Sequence, residues 1–248
     1  MSQGRVRIED GQKRIRVYLG GEVVADTTRP KLVWEKPYYP TYYFPEADVR
    51  VDALVPSGLT KRSPSRGTAE LFDVKSSRRT AEQAAYRHND SPIEGLQTMV
   101  AFDWAAMDAW FEEDEEVFVH ARDPYTRVDV LPSSRHIEVK IDGATVADST
   151  HARLLFETGL PVRYYLPKTD VRMDLLTPTE TQTHCPYKGT AQYWSVRVGE
   201  TVHNDIVWGY RTPLPESAGI AGLVSFYNEK VDIVVDEDPV ERPKTIFS

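Results

Sequence analysis

The chain has 248 residues, enough for one large domain or two small ones, and its 40% hydrophobic and 27% charged content is that of a globular protein. A net charge of −8 argues against a protein that binds nucleic acid or an anionic membrane through a basic surface. A single cysteine cannot form an internal disulfide, and no apolar run approaches the roughly 18 residues of a membrane helix. The N-terminus lacks the apolar core of a signal peptide, so we predict a cytoplasmic protein without nucleic-acid or membrane partners.

The first half of the chain is predicted to be mostly β. Two alternating runs, IRVYL and EVVAD, are joined by Gly20-Gly21, a pair that favours a two-residue hairpin turn. The segments KLVWE and TAELFDV read as further strands. One late helix is predicted at Ala105–Asp114.

The second half repeats this order. IEVKI and ATVAD flank Asp142-Gly143, and RLLFE and TAQYWSV follow as strands. DVRMDLL alternates with period two and predicts a strand with Asp170, Arg172 and Asp174 on one face. A second late helix is predicted at Pro215–Phe226, because proline near its start suits a helix N-terminus.

The two halves are copies of one sequence. RIRVYLGG from Arg14 aligns with HIEVKIDG from His136, an offset of 122 residues that holds for about sixty residues. We therefore predict two tandem domains, residues 1–132 and 133–248, joined by a short linker, LPSSR. Beyond Val74 we align Trp104 with Trp208, and the tripeptide at 128–130 with that at 231–233. This alignment predicts an 18-residue insertion in the first copy, near 75–99, since 30 positions there match 12 in the second.

The second copy resembles a known family. The segments VADSTHARLLFETGLPVRYYLPKTDVRMDLL, THCPYKGTAQYWSV and AGLVSFYNEKVD, in that order, are similar to the family of domain of unknown function 427 in its tandem form. The resemblance implies small pyramidal sheets of the β-tent, or Mss4-like, type. It implies no settled activity, and a shared fold does not transfer chemistry.

Comparison of the copies directs attention to THCPYKG, whose counterpart is KRSPSRG. Pro186 and Gly189 recur, so the turn belongs to the fold, whereas His184, Cys185 and Tyr187 are particular to the second copy. For catalysis the candidates are Cys185 as nucleophile and His184 or Glu157 as base, although neighbours in an extended segment point to opposite faces. The alternative is that Cys185 is a buried structural thiol.

A second set of residues suggests a pocket for a small polar or anionic ligand. Arginine and lysine hold carboxylates and phosphates, and aromatic rings line pockets. The residues concerned are Tyr164, Arg172, Asp174, His184, Tyr187, Lys188 and Trp194. No cofactor or metal is predicted, because the ligand spacing of a structural zinc site is missing. Three hypotheses stay open: a ligand-binding protein, an enzyme that uses the same pocket, and an interaction module without a ligand. The sequence does not determine the oligomeric state.

Overall fold

The computed structural model describes residues 6–245 and 247–248, which form two compact β-rich units divided between Asp123 and Pro124. We call these the N-terminal and C-terminal units. The prediction of two tandem β-rich domains is thereby confirmed. No helix among the described residues is long and apolar enough to cross a lipid bilayer.

The N-terminal unit contains two antiparallel sheets. Its strands are β1 Arg7–Asp10, β2 Ile15–Leu19, β3 Glu22–Thr27, β4 Lys31–Trp34, β5 Thr41–Pro45, β6 Leu54–Ser63, β7 Gly67–Lys75, β8 Thr80–Arg87, β9 Met99–Phe102, β10 Ala109–Glu112 and β11 Glu115–Glu116. The larger sheet has the order β1-β4-β5-β9-β8-β7-β6, and the smaller one has the order β11-β10-β2-β3.

The C-terminal unit repeats this arrangement strand for strand. Its strands are β12 Val128–Pro132, β13 Ile137–Ile141, β14 Ala144–Ser149, β15 Arg153–Glu157, β16 Arg163–Leu166, β17 Leu176–Cys185, β18 Gly189–Val198, β19 Thr201–Tyr210, β20 Val224–Phe226, β21 Asp232–Val235 and β22 Asp238–Val240. The orders are β12-β15-β16-β20-β19-β18-β17 and β14-β13-β21-β22.

Simple side-chain alternation produces the core of each unit. In β13 the residues Ile137, Val139 and Ile141 are buried and the residues between them are not, as expected for a strand with one face on a core. The predicted hairpin turns are present, since Asp142 and Gly143 have φ of 49° and 79°. Every residue of β16 is buried, because both faces of this strand are covered. Its two tyrosines therefore pack in different hydrophobic clusters, one on each face of the larger sheet. Tyr164 faces the smaller sheet, and Tyr165 faces the other side of the larger sheet.

Strand pairing corrects the alignment beyond Val74. Tyr86 lies opposite Leu71 as Trp208 lies opposite Tyr193, so the offset of 122 continues through β8 and β19. Ala101 pairs with Tyr43 as Ser225 pairs with Tyr165, an offset of 124. The second copy is thus two residues longer here, and residues 80–87 are a shared strand instead of part of an 18-residue insertion. Matching the two tryptophans, Trp104 and Trp208, produced the error.

The alignment near the domain boundary also changes. The tripeptide at 128–130 lies in β12, whose counterpart is β1, whereas residues 232–233 lie in β21, the counterpart of β10. The sequence places the boundary after residue 132, but β12 pairs along its length with β15 and so lies within the C-terminal unit.

Several local predictions differ from the structure. The predicted helix at Ala105–Asp114 is a 3-10 turn, Trp104–Ala106, followed by strand β10. The helix predicted at Pro215–Phe226 is a 3-10 helix, Pro215–Ile220, followed by β20. Most of DVRMDLL is not a strand: one 3-10 turn ends at Asp170, a second covers Met173–Leu175, and strand β17 begins only at Leu176.

The larger sheet of the C-terminal unit is strongly curled. Three strands separate β15 from β18, which would place their residues about 19 Å apart in a flat sheet. Glu157 at the end of β15 nevertheless forms an ion pair with Lys188, which directly precedes β18. We call the concave side, which carries Glu157, Tyr165 and Lys188, the curled face.

Candidate functional site

A buried carboxylate–cation pair lies at the same place in each unit. On the curled face Lys188 donates to Glu157, and their side chains are 11% and 8% exposed. In the N-terminal unit Arg66 donates to Glu35, and each side chain is 17% exposed. Because the pair recurs in both copies, it serves the shared fold. Removal of one partner of such a pair generally costs about 3–5 kcal/mol.

The two pairs differ in their other hydrogen bonds. Glu35 Oε1 also accepts from the hydroxyls of Tyr43 at 2.6 Å and Tyr86 at 3.2 Å, and burial raises the pKa of both tyrosines. Trp208 stands where Tyr86 stands and donates to the Tyr165 hydroxyl instead, at 3.1 Å. Among the described residues, the Glu157 carboxylate accepts from Lys188 alone.

The predicted catalytic residues are not assembled as a nucleophile and base. His184 is exposed and its Nδ1 lies 2.9 Å from Thr190 Oγ1 on the neighbouring strand. Cys185 is half-buried at the end of β17. It is near enough to Tyr165 and Tyr210 to influence both electrostatically, on the curled face. The separation of His184 from Cys185 follows from the alternation of side chains along a strand.

The predicted ligand-binding residues point in different directions. Arg172 and Asp174 form an exposed ion pair with each other, which lowers the pKa of Asp174. Tyr164 packs in the core between the two sheets. Tyr187 is half-buried in the turn after β17, where its carbonyl accepts from Ser217. Since Lys188 lies on the curled face, the structure does not bring these residues into one pocket.

Trp194, one of the predicted residues, lines a cavity. It lies on β18, on the face of the larger sheet opposite the curled face, at the edge of the core. The cavity has a volume of about 250 Å³, and we call it the Trp194 pocket. Its lining consists of Lys168, Gln192, Trp194, Gly209, Tyr210, Arg211, Gly222 and Leu223.

The Trp194 pocket is positively charged. The Lys168 ammonium lies over the indole of Trp194, 4.8 Å from the ring centroid, and Arg211 extends from the end of β19. Both cations are exposed, and neither forms an ion pair with a residue that the structure describes. No lining residue is acidic. The pocket therefore offers two cations and one aromatic wall to a ligand.

The sequence reasoning missed Lys168, Gln192 and Arg211. A signal was present, because Lys168 aligns with Glu46 at the offset of 122 and so reverses the charge between copies. The roles of Arg211 and Gly209 could not be predicted, because the sequence alignment beyond Val74 assigned wrong counterparts to these residues. A broader depression of about 460 Å³ lies beside Ser133, His151 and Arg153, but it has no aromatic wall.

Within the described part of the chain, no three His, Cys, Asp or Glu side chains are placed to hold a metal ion.

A buried ion pair of the C-terminal unit, Arg163 with Glu229, has its hydrogen bonds satisfied within the protein. Arg163 donates two bonds of 2.7 Å to Glu229, which also accepts from Thr245 at 2.6 Å. Burial raises the pKa of Glu229, but these hydrogen bonds outweigh it and lower the pKa to about 2.

Comparison with known families agrees with the duplication. No curated relative matches the sequence. The family model described as domain of unknown function (DUF427) matches twice, over residues 7–113 and 129–237. These ranges correspond to the two units and cover most of the chain. The chain therefore belongs to the DUF427 family and contains its domain twice.

Proposed function

We propose that this protein binds a small anionic ligand in the Trp194 pocket of its C-terminal unit. The observation that carries the proposal is the cavity itself, which Lys168, Arg211 and Trp194 all line and which has no acidic lining residue. Small-molecule sites are typically concave, with an aromatic wall and a few polar groups that orient the ligand. An anion would neutralise the two cations, and arginine adds a bidentate fork.

The volume supports a small ligand. About 250 Å³ lies just below the range of pockets that enclose drug-sized molecules. The enzyme hypothesis has weaker support, because His184 and Cys185 point apart and the Glu157–Lys188 pair is closed. The proposal retains two expectations from the sequence: a cytoplasmic location and kinship with β-tent, or Mss4-like, domains.

The test is isothermal titration of the full chain with benzoate and with inorganic phosphate, two small anions of different shape. We expect at least one to bind with a roughly millimolar dissociation constant, as suits a ligand of this size. Lys168→Glu and Arg211→Glu should each weaken binding by about tenfold or more, because each removes a charged hydrogen-bond donor and adds repulsion.

The matched control is Arg197→Glu, which makes the same charge change at the far end of the same hairpin. Arg197 is exposed and lies five residues beyond Gln192, about 17 Å along the strand. It should leave binding within about twofold. Equal losses in all three variants would indicate a general charge effect, and absence of binding by both anions would refute the proposal.

A further inference from the structure

The N-terminal unit has an arginine side chain at the position that Gly209 holds in the C-terminal unit. Arg87 lies opposite Glu70 on the neighbouring strand, as Gly209 lies opposite Gln192. Its guanidinium lies over the ring of Phe72, 5.3 Å from the centroid, and Phe72 is the counterpart of Trp194. The N-terminal unit thus has a cation on an aromatic ring at this position.

Two carboxylates neutralise that cation. Arg87 forms an ion pair with Glu46 and a second one with Glu70, whose oxygen lies 3.3 Å from Arg87 Nη2. The side-chain amide of Asn89 donates to the same Glu70 oxygen at 3.0 Å. A guanidinium and an amide therefore converge on one carboxylate.

The C-terminal unit keeps the donors and loses the carboxylates. Lys168 replaces Glu46, Gln192 replaces Glu70 and Arg211 replaces Asn89, while Gly209 has no side chain to fill the space. A cation again lies on the aromatic ring, because Lys168 takes the position over Trp194. The guanidinium and the amide are again present, now as Arg211 and Gln192. The C-terminal unit therefore lacks only the carboxylates that Glu46 and Glu70 supply in the N-terminal unit.

We propose that the ligand of the Trp194 pocket is a small carboxylate, whose carboxylate group supplies the negative charge that Glu46 and Glu70 supply in the N-terminal unit. This inference rests on the proposed function and specifies its ligand class. Lys168 and Arg211 pair with the carboxylate, and the amide of Gln192 donates to it. The apolar part of the ligand packs on Trp194 and Leu223.

Gly209 is in close contact with the backbone of the neighbouring segment. A Cβ atom on Gly209 would lie 2.4 Å from the carbonyl oxygen of Leu223, so the backbone forms the floor at this point. In the N-terminal unit the same position carries a whole arginine.

The first experiment compares carboxylate with phosphate in the full chain by isothermal titration at constant ionic strength. Benzoate should bind at least about tenfold more tightly than inorganic phosphate. If phosphate binds and benzoate does not, the carboxylate assignment is overturned while the proposed function survives. If neither anion binds, both are overturned.

The second experiment exchanges the charge of the pocket. The variant Lys168→Glu, Gln192→Glu, Arg211→Asn reproduces the N-terminal lining around an empty space, with Trp194 retained. It should lose benzoate binding and gain binding of methylguanidinium, the head group of Arg87, which the unmodified chain should not bind. Circular dichroism and the melting temperature establish that the variant is folded.

A folded variant that still binds benzoate, or that gains no affinity for methylguanidinium, would contradict the inference. If the triple variant does not fold, Arg211→Asn alone decides the matter. This exposed side chain should be dispensable for folding, and its replacement should weaken benzoate binding by about fivefold or more. Unchanged benzoate binding by the folded Arg211→Asn variant would overturn the assignment.

Discussion

At the position that Tyr210 holds in the C-terminal unit, the N-terminal unit has His88, a residue that is 2% exposed. Its ring packs edge-on against Tyr86, and its Nδ1 has no hydrogen-bond partner among the described residues. Burial and then the nearby charge of Arg66 lower the pKa of His88 below its ordinary value. The folded unit therefore holds this imidazole neutral.

This predicts a pH dependence of stability. The unfolded chain takes up a proton at His88 near pH 6.5 and the folded chain resists it, so the free energy of unfolding should fall as the pH drops below about 6.5. The slope that His88 contributes should reach at most about 1.4 kcal/mol per pH unit. Urea denaturation between pH 8 and pH 5 measures it.

The control for this prediction is His88→Tyr, which introduces the residue of the other copy. The variant should lose the part of the slope that begins near pH 6.5, while other groups titrate in both proteins. If the two proteins show the same pH dependence, His88 is not held neutral by the fold.

At the scale of the element, the hairpin β18–β19 and its counterpart β7–β8 share a register, and one of the positions at which their residues differ is that of Gly209 and Arg87. Gly209 is required where the carbonyl of Leu223 approaches β19, and Arg87 is accommodated at the same place in β8. Gly209→Ala should destabilise the protein by about 1–3 kcal/mol, because the backbone must move to admit a methyl group. Thermal unfolding measures the loss.

The matched variant is Arg87→Ala, which retains a Cβ atom that the N-terminal unit already accommodates. It removes partly exposed ion pairs with Glu46 and Glu70, so it should cost only about 1 kcal/mol or less. If Gly209→Ala is as stable as the unmodified chain, Leu223 does not constrain this strand.

Elements with a local signal were predictable. The hairpins at Gly20-Gly21 and Asp142-Gly143 follow from turn chemistry, and the alternating runs beside them identify their buried faces. Val171, Met173 and Leu175 mimic a strand because they are spaced by two. The segment instead forms 3-10 turns, with the backbone of Arg172 bonded to Val146. An alternating pattern does not show whether a neighbouring strand lies close enough to pair with the segment.

The site was less predictable, because it depends on curvature and on register. The curl of the larger sheet brings Glu157 to Lys188, whereas side-chain alternation after Tyr193 places Trp194 on the opposite face. The pocket also needs Lys168 and Arg211, which lie 43 residues apart in the chain and line the same cavity because β16, β20, β19 and β18 are neighbours in the sheet. Only Trp194 was identified beforehand.

For the whole molecule, duplication separates features that both units share from features that only one unit has. Both units keep the same strand order and the buried carboxylate–cation pair, so these features belong to the fold. The Trp194 pocket is not shared in this way. At the equivalent position of the N-terminal unit Arg87 pairs with Glu46 and Glu70, whereas the C-terminal unit has two cations without a carboxylate partner there in the part of the chain that the structure describes. The net charge of −8 makes such an uncompensated cationic pocket more notable, because carboxylates outnumber cations in the chain as a whole.

The proposal that the Trp194 pocket binds a carboxylate is tested most directly by a nuclear magnetic resonance titration of the full chain with benzoate. Chemical shifts should change and saturate for the side-chain amide of Gln192 and the indole NH of Trp194. Two reporters in the N-terminal unit, the side-chain amide of Asn89 at the position of Arg211 and the indole NH of Trp110 in β10, should stay unchanged. Shifts that are absent, that do not saturate, or that are equal in both units would contradict it.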